Sequence, residues 1–312
     1  MKLIIVLLTA VVFISGCETT KSTTENKKKK FDIKIEPTVF DKKFPALFVH
    51  IDYDGKYQGK QYVRFPEVIE AWSTKNKKLV RFYQDNRLPE WPVDLPCEPL
   101  KLPVDWKGND KERSFTMKLS NGMVLNSKAK VVGNKVLFSH KLFNDTNLEL
   151  KKIKMWTCVQ NINVENIADT RMERTSTPVN NKFQLFRKLI PACVPFEEAE
   201  KIVNQIFIAY SDASKKFYKE NPFIARHPGH PNDNKEAIYF WQVEKSISKP
   251  AIATVSKNGK WGVAVVSKDA VNVMANPAIS CQHSDPTVPL CKPGETAEIK
   301  NKMVFFEGQP NL

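Results

Sequence analysis

SFTMKLSNGMVLNSKAKVVGNKVLFSHKLF, Ser114 to Phe143, decides the fold class. Apolar side chains recur at every second residue, as in Phe115, Met117 and Leu119 or Val136, Phe138 and Leu142. That is the period of a strand with one buried face. Asn121-Gly122 and Gly133-Asn134 separate the runs. Asparagine and glycine tolerate the positive φ of tight hairpin turns, so the spacing predicts three consecutive antiparallel strands.

The same pattern extends in both directions. Upstream, FPALFVHIDY, QYVRFPEVIEAW and KKLVRFYQ are rich in β-branched and aromatic residues. Downstream, a polar corner at Asn144-Asp145-Thr146-Asn147 leads into LELKKIKMWTCVQNINV. A later group contains AIATVS, a Lys257-Asn258-Gly259-Lys260 turn, WGVAVVS, AVNVMAN and GETAEIKNKMVFFEG. One helix is predicted near residues 195–220. Pro195 suits a first turn, Glu197 and Glu198 favour its positive end, and Ala199, Ile202, Val203, Ile206 and Phe207 fall at helical spacing before the Asn221-Pro222 stop. The expected fold is all-β (β-dominated): a large two-sheet antiparallel β-sandwich, supersandwich-like, with a helical insertion.

The N-terminal residues read as an address. Met1-Lys2 precedes an apolar run, Leu3 to Ile14, that is too short for a permanent bilayer span. Ile14-Ser15-Gly16-Cys17 then resembles a bacterial lipobox, which makes residues 1–16 a lipoprotein signal peptide and Cys17 the lipidated residue. Residues 17–30 are Ser, Thr, Glu and Lys with almost nothing apolar, a composition that cannot bury enough surface to fold. They are expected to be a disordered tether, leaving residues 31–312 as a single β-sandwich domain. The expected location is the cell membrane or outer membrane, lipid-anchored, and the anchor is the membrane contact.

The chain carries a formal charge of +14, with 26% charged and 42% hydrophobic residues. A basic surface favours anionic partners. No nucleic-acid motif is present, so nucleic acid is not expected, and acidic oligosaccharide remains as the partner. Export also governs the cysteines. Among Cys97, Cys158, Cys193, Cys281 and Cys291, an oxidising compartment permits disulfides. In ISCQHSDPTVPLCKPGE, Ile279 to Glu295, Pro286 and Pro289 favour a rigid loop, and Cys281 and Cys291 are the local pair expected to staple it.

NGKWGVAVVS, the Asn276-Pro277 turn and CQHSDPTVPLCKPGETAEIKNKMVFFEG together resemble the ending of a family of exported bacterial proteins from polysaccharide-degradation loci. HKLFNDTNLELKKIKMWTCVQ is similar to the family's middle strands. The resemblance implies the galactose-mutarotase-like supersandwich, and within it the ulvan oligosaccharide dehydratase type, acting on uronic-acid-terminated oligosaccharides.

Elimination from a uronate needs a base for the C5 proton, a cation against the carboxylate and an acid for the leaving oxygen. ARHPGHPNDNKEAIYFW offers such groups on a Pro- and Gly-shaped loop. Arg226 is the expected carboxylate clamp, His227 or His230 the base and Tyr239 the acid. Arg171 and Arg174 add to an anion-binding rim, and His283 points into the sugar site. His227, His230 and His283 could also be read as metal ligands, but His-x-x-His through a Pro-Gly turn is no zinc signature, so no metal and no cofactor is expected. His140 and His50 are expected to be structural. The predicted activity is that of a carbon–oxygen lyase or dehydratase on uronate-terminated, sulfated oligosaccharides. The alternatives are a non-catalytic acidic-glycan-binding lipoprotein and a hydrolase of the same glycans.

Overall fold

A computed structural model describes residues 30–40, 44–75, 78–84, 104–119, 122–190, 205–212, 214–215 and 239–312. In chain order the strands are β1 (Phe31–Phe40), β2 (Phe44–Tyr53), β3 (Lys56–Ser73), β4 (Lys78–Gln84), β5 (Lys107–Asn109) and β6 (Glu112–Lys118). Next come β7 (Val124–Val132), β8 (Lys135–Phe143), β9 (Leu150–Gln160), β10 (Thr175–Val179), β11 (Lys182–Leu185) and β12 (Gln205–Tyr210). The last are β13 (Tyr239–Gln242), β14 (Ala251–Val255), β15 (Trp261–Val266), β16 (Ala270–Asn276), β17 (Cys281–Cys291) and β18 (Thr296–Glu307).

They form two nine-stranded sheets. The first runs β1-β2-β3-β9-β17-β16-β12-β13, with β4 also pairing β3; the second runs β11-β10-β14-β15-β18-β8-β7-β6-β5. Pairing is antiparallel except between β12 and β13. The run from Ser114 to Phe143 is the predicted meander β6-β7-β8, and Gly133 supplies its positive φ of 59° at the second turn.

Alternation builds the core. Ile33, Leu47, Val63, Met155, Val159, Phe207 and Val273 of the first sheet join Phe115, Leu125, Phe138, Val263, Ile299 and Phe305 of the second in one buried cluster. Each such side chain contributes about 1.5–3 kcal/mol on burial. Polar residues also tie the layers: Gln282 donates to Thr254 Oγ1, and Ser284 Oγ donates to the Pro250 carbonyl at 2.8 Å. The outer face of the second sheet is the wet one. Lys128, Lys130, Lys141 and Lys300 stand exposed there, at every second position of their strands.

Two local expectations are corrected. Residues 205–210 of the predicted helix are the strand β12; Phe207 and Ala209 enter the core while Ile206, Ile208 and Tyr210 face the other way. IFIAY, from Ile206 on, is apolar throughout, so its period cannot separate a helix from a strand buried on both faces, and sheet pairing decides. The rest of the predicted helix up to residue 204, and Asn221-Pro222, lie outside the described residues.

The second correction is the stapled loop. Cys281 to Cys291 is one extended eleven-residue strand inside the sheet, and both thiols are free. Its ends are about 33 Å apart, far beyond the reach of a disulfide. Pro286 is tolerated because it pairs Ala270 at the irregular end of β16 and is absent from the ladder with β9. Pro289 lies beyond the last β16 partner. Proline in a sheet needs such gaps.

Candidate functional site

The face of the first sheet that points away from the core carries the candidate site. On β9, Ile153, Met155 and Val159 go inward, so Lys154, Trp156, Cys158 and Gln160 go outward. On β17, Gln282 and Ser284 reach the second sheet, so Cys281, His283 and Asp285 share the outer face. Register then aligns the strands. Arg64 of β3 is opposite Cys158, and Glu70 opposite Lys154. Gln282 faces Val159 and Thr287 faces Lys154, a constant register that sets His283 across from Cys158. Met274 is opposite His283, and Asn272 opposite Asp285.

These outward groups are not wet. Arg64, Lys154, Cys158, His283 and Asp285 are 0–8% exposed. Buried charge survives only when paired, and pairs are what the face supplies. Arg64 Nη1 donates to Glu67 Oε1 at 2.6 Å. The Gln160 amide oxygen accepts from Arg64 Nη2 at 3.0 Å and Nε at 3.1 Å. Asn272 donates to Asp285 Oδ2 at 2.9 Å, and Lys154 Nζ lies 3.7 Å from the same oxygen. Lys154 also stands 5.2 Å from the Trp156 ring centre.

His283 is at the centre. Its Nδ1 lies 3.5 Å from Asp285 Oδ1 and its Nε2 lies 3.7 Å from Glu67 Oε2. Burial by itself disfavours the imidazolium, but Cys158, Asp285 and Glu67 outweigh it and raise the His283 pKa to about 10. Burial pushes the Cys158 thiol well above its ordinary value, which leaves Asp285 and Glu67 as the carboxylates that favour the imidazolium. Burial works against the Asp285 anion too, yet Lys154, His283 and Asn272 lower its pKa. Arg64 and Lys154 stand against Glu67, Glu70 and Asp285, so charge on this face is close to balance once His283 is counted as a cation. The basic excess of the chain is not concentrated here.

The expected site residues divide. His283 is placed on this face, as part of a strand. Tyr239 opens β13 on the edge of the same sheet, but its side chain lies outside the described residues. Arg226, His227, His230 and Cys17 lie outside them entirely. Arg174 is held by backbone carbonyls. Its Nη1 donates to the carbonyls of Asn166 at 3.0 Å and Val255 at 2.7 Å, and its Nη2 to that of Ala168. Arg171 is exposed and lies 3.8 Å from Glu173, with no described contact to His283. His140 and His50 are structural as expected: His140 bonds Ser127 Oγ at 2.8 Å, and His50 bonds Glu36 at 2.8 Å.

Sequence reasoning missed Arg64, Glu67, Lys154, Trp156 and Cys158. A signal for two of these runs was present. Lys-x-Trp-x-Cys-x-Gln and Cys-x-His-x-Asp both have strand period, so each places its named residues on one face once the segment is known to be extended.

No protein-family model and no curated relative matches the chain. Among solved structures it is similar to a galactose mutarotase related enzyme from Lactobacillus acidophilus, at 10% identity and a TM-score of 0.40, over 88% of this chain and 100% of that one. A TPR-domain containing protein from Parabacteroides distasonis is similar at 9% identity and a TM-score of 0.38, over 90% and 55%. A GH36 alpha-galactosidase from Geobacillus stearothermophilus is similar at 11% identity and a TM-score of 0.33, over 92% of this chain and 31% of that one. At these scores the likenesses assign neither a family nor an activity, and the functional reading rests on this chain's own residues.

Proposed function

We propose that the protein is a carbon–oxygen lyase of the dehydratase type, eliminating water or a glycosidic oxygen from uronic-acid-terminated oligosaccharides, with the outer face of the first sheet as its site. The observation that carries the proposal is His283, a buried imidazole between Asp285 and Glu67 at 3.5 and 3.7 Å, with Arg64 and Lys154 on neighbouring strands. Elimination next to a carboxylate builds negative charge on that carboxylate as the C5 proton leaves, and a fixed positive centre in a dry site lowers that barrier most. His283 provides such a centre, and Arg64 and Lys154 flank it.

The proton transfers are assigned to His227 or His230 as base and Tyr239 as acid, with Arg226 on the substrate carboxylate. That assignment follows from the residue types each role needs; the reaction class follows from the family resemblance of the C-terminal sequence. Sulfation of the substrate and lipid anchoring through Cys17 at the cell surface belong to the same proposal.

The test is mass spectrometry of the purified protein after incubation with uronate-terminated oligosaccharides, beside a heat-killed control. Loss of one water at unchanged chain length identifies a dehydratase; shorter products with an unsaturated end identify a depolymerising lyase. Shorter saturated products identify a hydrolase and overturn the proposal. One observation favours a binding-only reading: the exposed Lys128, Lys130, Lys141 and Lys300 stand on one sheet face and outnumber the carboxylates that pair with them, Glu112 and Glu298, which suits a polyanion. Retention on immobilised acidic glycan without any mass change would select that reading.

A further inference from the structure

We propose that Cys158, Cys281 and His283 bind a thiolate-preferring divalent metal ion of the zinc class at the centre of the first sheet's outer face. The Sγ atoms of both cysteines and a ring nitrogen of His283 lie within 4.8 Å of one another, and all three residues are buried. Three atoms so placed have a common point no more than about 2.8 Å from each, and zinc binds sulfur at about 2.3 Å and imidazole nitrogen at about 2.0–2.1 Å. Contraction by about 0.5 Å at each sulfur and about 0.7 Å at the nitrogen closes the set.

The surroundings suit this ligand set. Asp285 stands 3.5 Å from His283 Nδ1, and neither Nδ1 nor Asp285 Oδ1 has a hydrogen-bond partner among the described residues. A metal-ligating histidine ordinarily turns its second nitrogen to such a carboxylate, which fixes the tautomer and frees the other nitrogen for the ion. Here that other nitrogen is Nε2, which lies 3.7 Å from Glu67 Oε2. Asn272 and Lys154 hold Asp285 in turn. Two thiolates offset the charge of a divalent ion; loading releases the thiol and imidazolium protons, so His283 becomes a neutral ligand and the face carries one positive charge less. Cys291, at the far end of the same strand, lies in the core cluster with the carbonyls of Lys292 and Glu295 as polar neighbours of its sulfur.

The assignment stands on the ligand set and does not require the uronate reading. The test is metal analysis of the full chain after loading with zinc chloride and extensive desalting, with the same preparation loaded with cobalt. One zinc per chain is expected, together with sulfur-to-cobalt charge-transfer absorption. Cys281→Ser and His283→Ala should lose both, Asp285→Asn should weaken zinc affinity roughly tenfold to a hundredfold, and Cys291→Ser should retain both. Free thiols with no retained metal, a Cys158–Cys281 disulfide in the exported protein, or equal zinc retention by the Cys281→Ser variant would each overturn the site. A variant that fails to fold leaves the wild-type stoichiometry and cobalt spectrum to decide. Metal-free protein that still eliminates water removes the metal and spares the lyase. Metal-loaded protein inert toward every uronate tested does the reverse.

Discussion

His140 and His283 are both buried, and each sits within a strand of a nine-stranded sheet, at 1% and 4% exposure. They differ in the face they take. His140 points into the sandwich, 4.5 Å from the Phe65 ring centre, with one hydroxyl partner on Ser127. Burial alone drives its pKa down to about 3, so it is a neutral core residue. His283 points out of the sandwich among two carboxylates and two thiols, and its pKa moves the opposite way. Burial lowers the basicity of any histidine; what decides its role is whether the face it takes also brings charge partners. The comparison shows that in a sandwich a buried outward face can hold chemistry while the inward face, one residue along, holds only packing.

The sharpest way to break the comparison is to exchange the two histidines' fates. His283→Ala should reduce turnover of a uronate-terminated oligosaccharide on the order of a thousandfold, whereas His140→Leu should leave it within about twofold. Equal loss in the two variants, read by steady-state kinetics, would show that the outward face has no special role.

Asp285→Asn comes next. It leaves buried Lys154 facing a neutral amide in place of a carboxylate 3.7 Å away, and should cost about 3 kcal/mol in denaturant unfolding. A cost under about 1 kcal/mol would mean that Lys154 is held by other partners and that the network is looser than its distances imply.

The third effect is a pH dependence. The His140 pKa falls on folding from 6.5 to about 3, so the unfolded chain binds the extra proton first as pH drops. Its contribution is therefore fully present above about 6.5 and is lost as pH falls toward 3. Between pH 7 and pH 4.5 the wild type should lose roughly 2–3 kcal/mol through this group. The His140→Leu variant should lack that part of the loss, and an unchanged acid limb in denaturant titrations would contradict a neutral His140. Smallest of all is Cys291→Ser, expected to shift stability by about 1 kcal/mol, since the buried hydroxyl keeps the carbonyls of Glu295 and Lys292, now at 3.4 and 3.8 Å from the sulfur, as hydrogen-bond partners.

Much of the sandwich was legible because its signal is local. Phe115, Met117, Leu125 and Ala129 alternate with lysines and polar residues, and Gly133-Asn134 marks its turn without reference to anything distant. The helical reading of residues 205–210 failed for the complementary reason: β12 is apolar on both faces, so no alternation remains to read. Cys281 to Cys291 misled through its prolines. Local chemistry says loop, and only the ladder gaps beside Pro286 and Pro289 let a strand pass.

By itself the sequence determined the strand-rich architecture, the hairpin order of β6, β7 and β8, and the one-face grouping latent in Cys-x-His-x-Asp and Lys-x-Trp-x-Cys. Each follows from residue period and turn chemistry within a dozen residues. Only the tertiary structure decided that β17 pairs with β9, more than a hundred residues earlier in the chain, and so that His283 meets Cys158 and Arg64. Strand order and register at that distance come from burying both faces of a whole sheet at once, a global packing outcome that no local segment encodes.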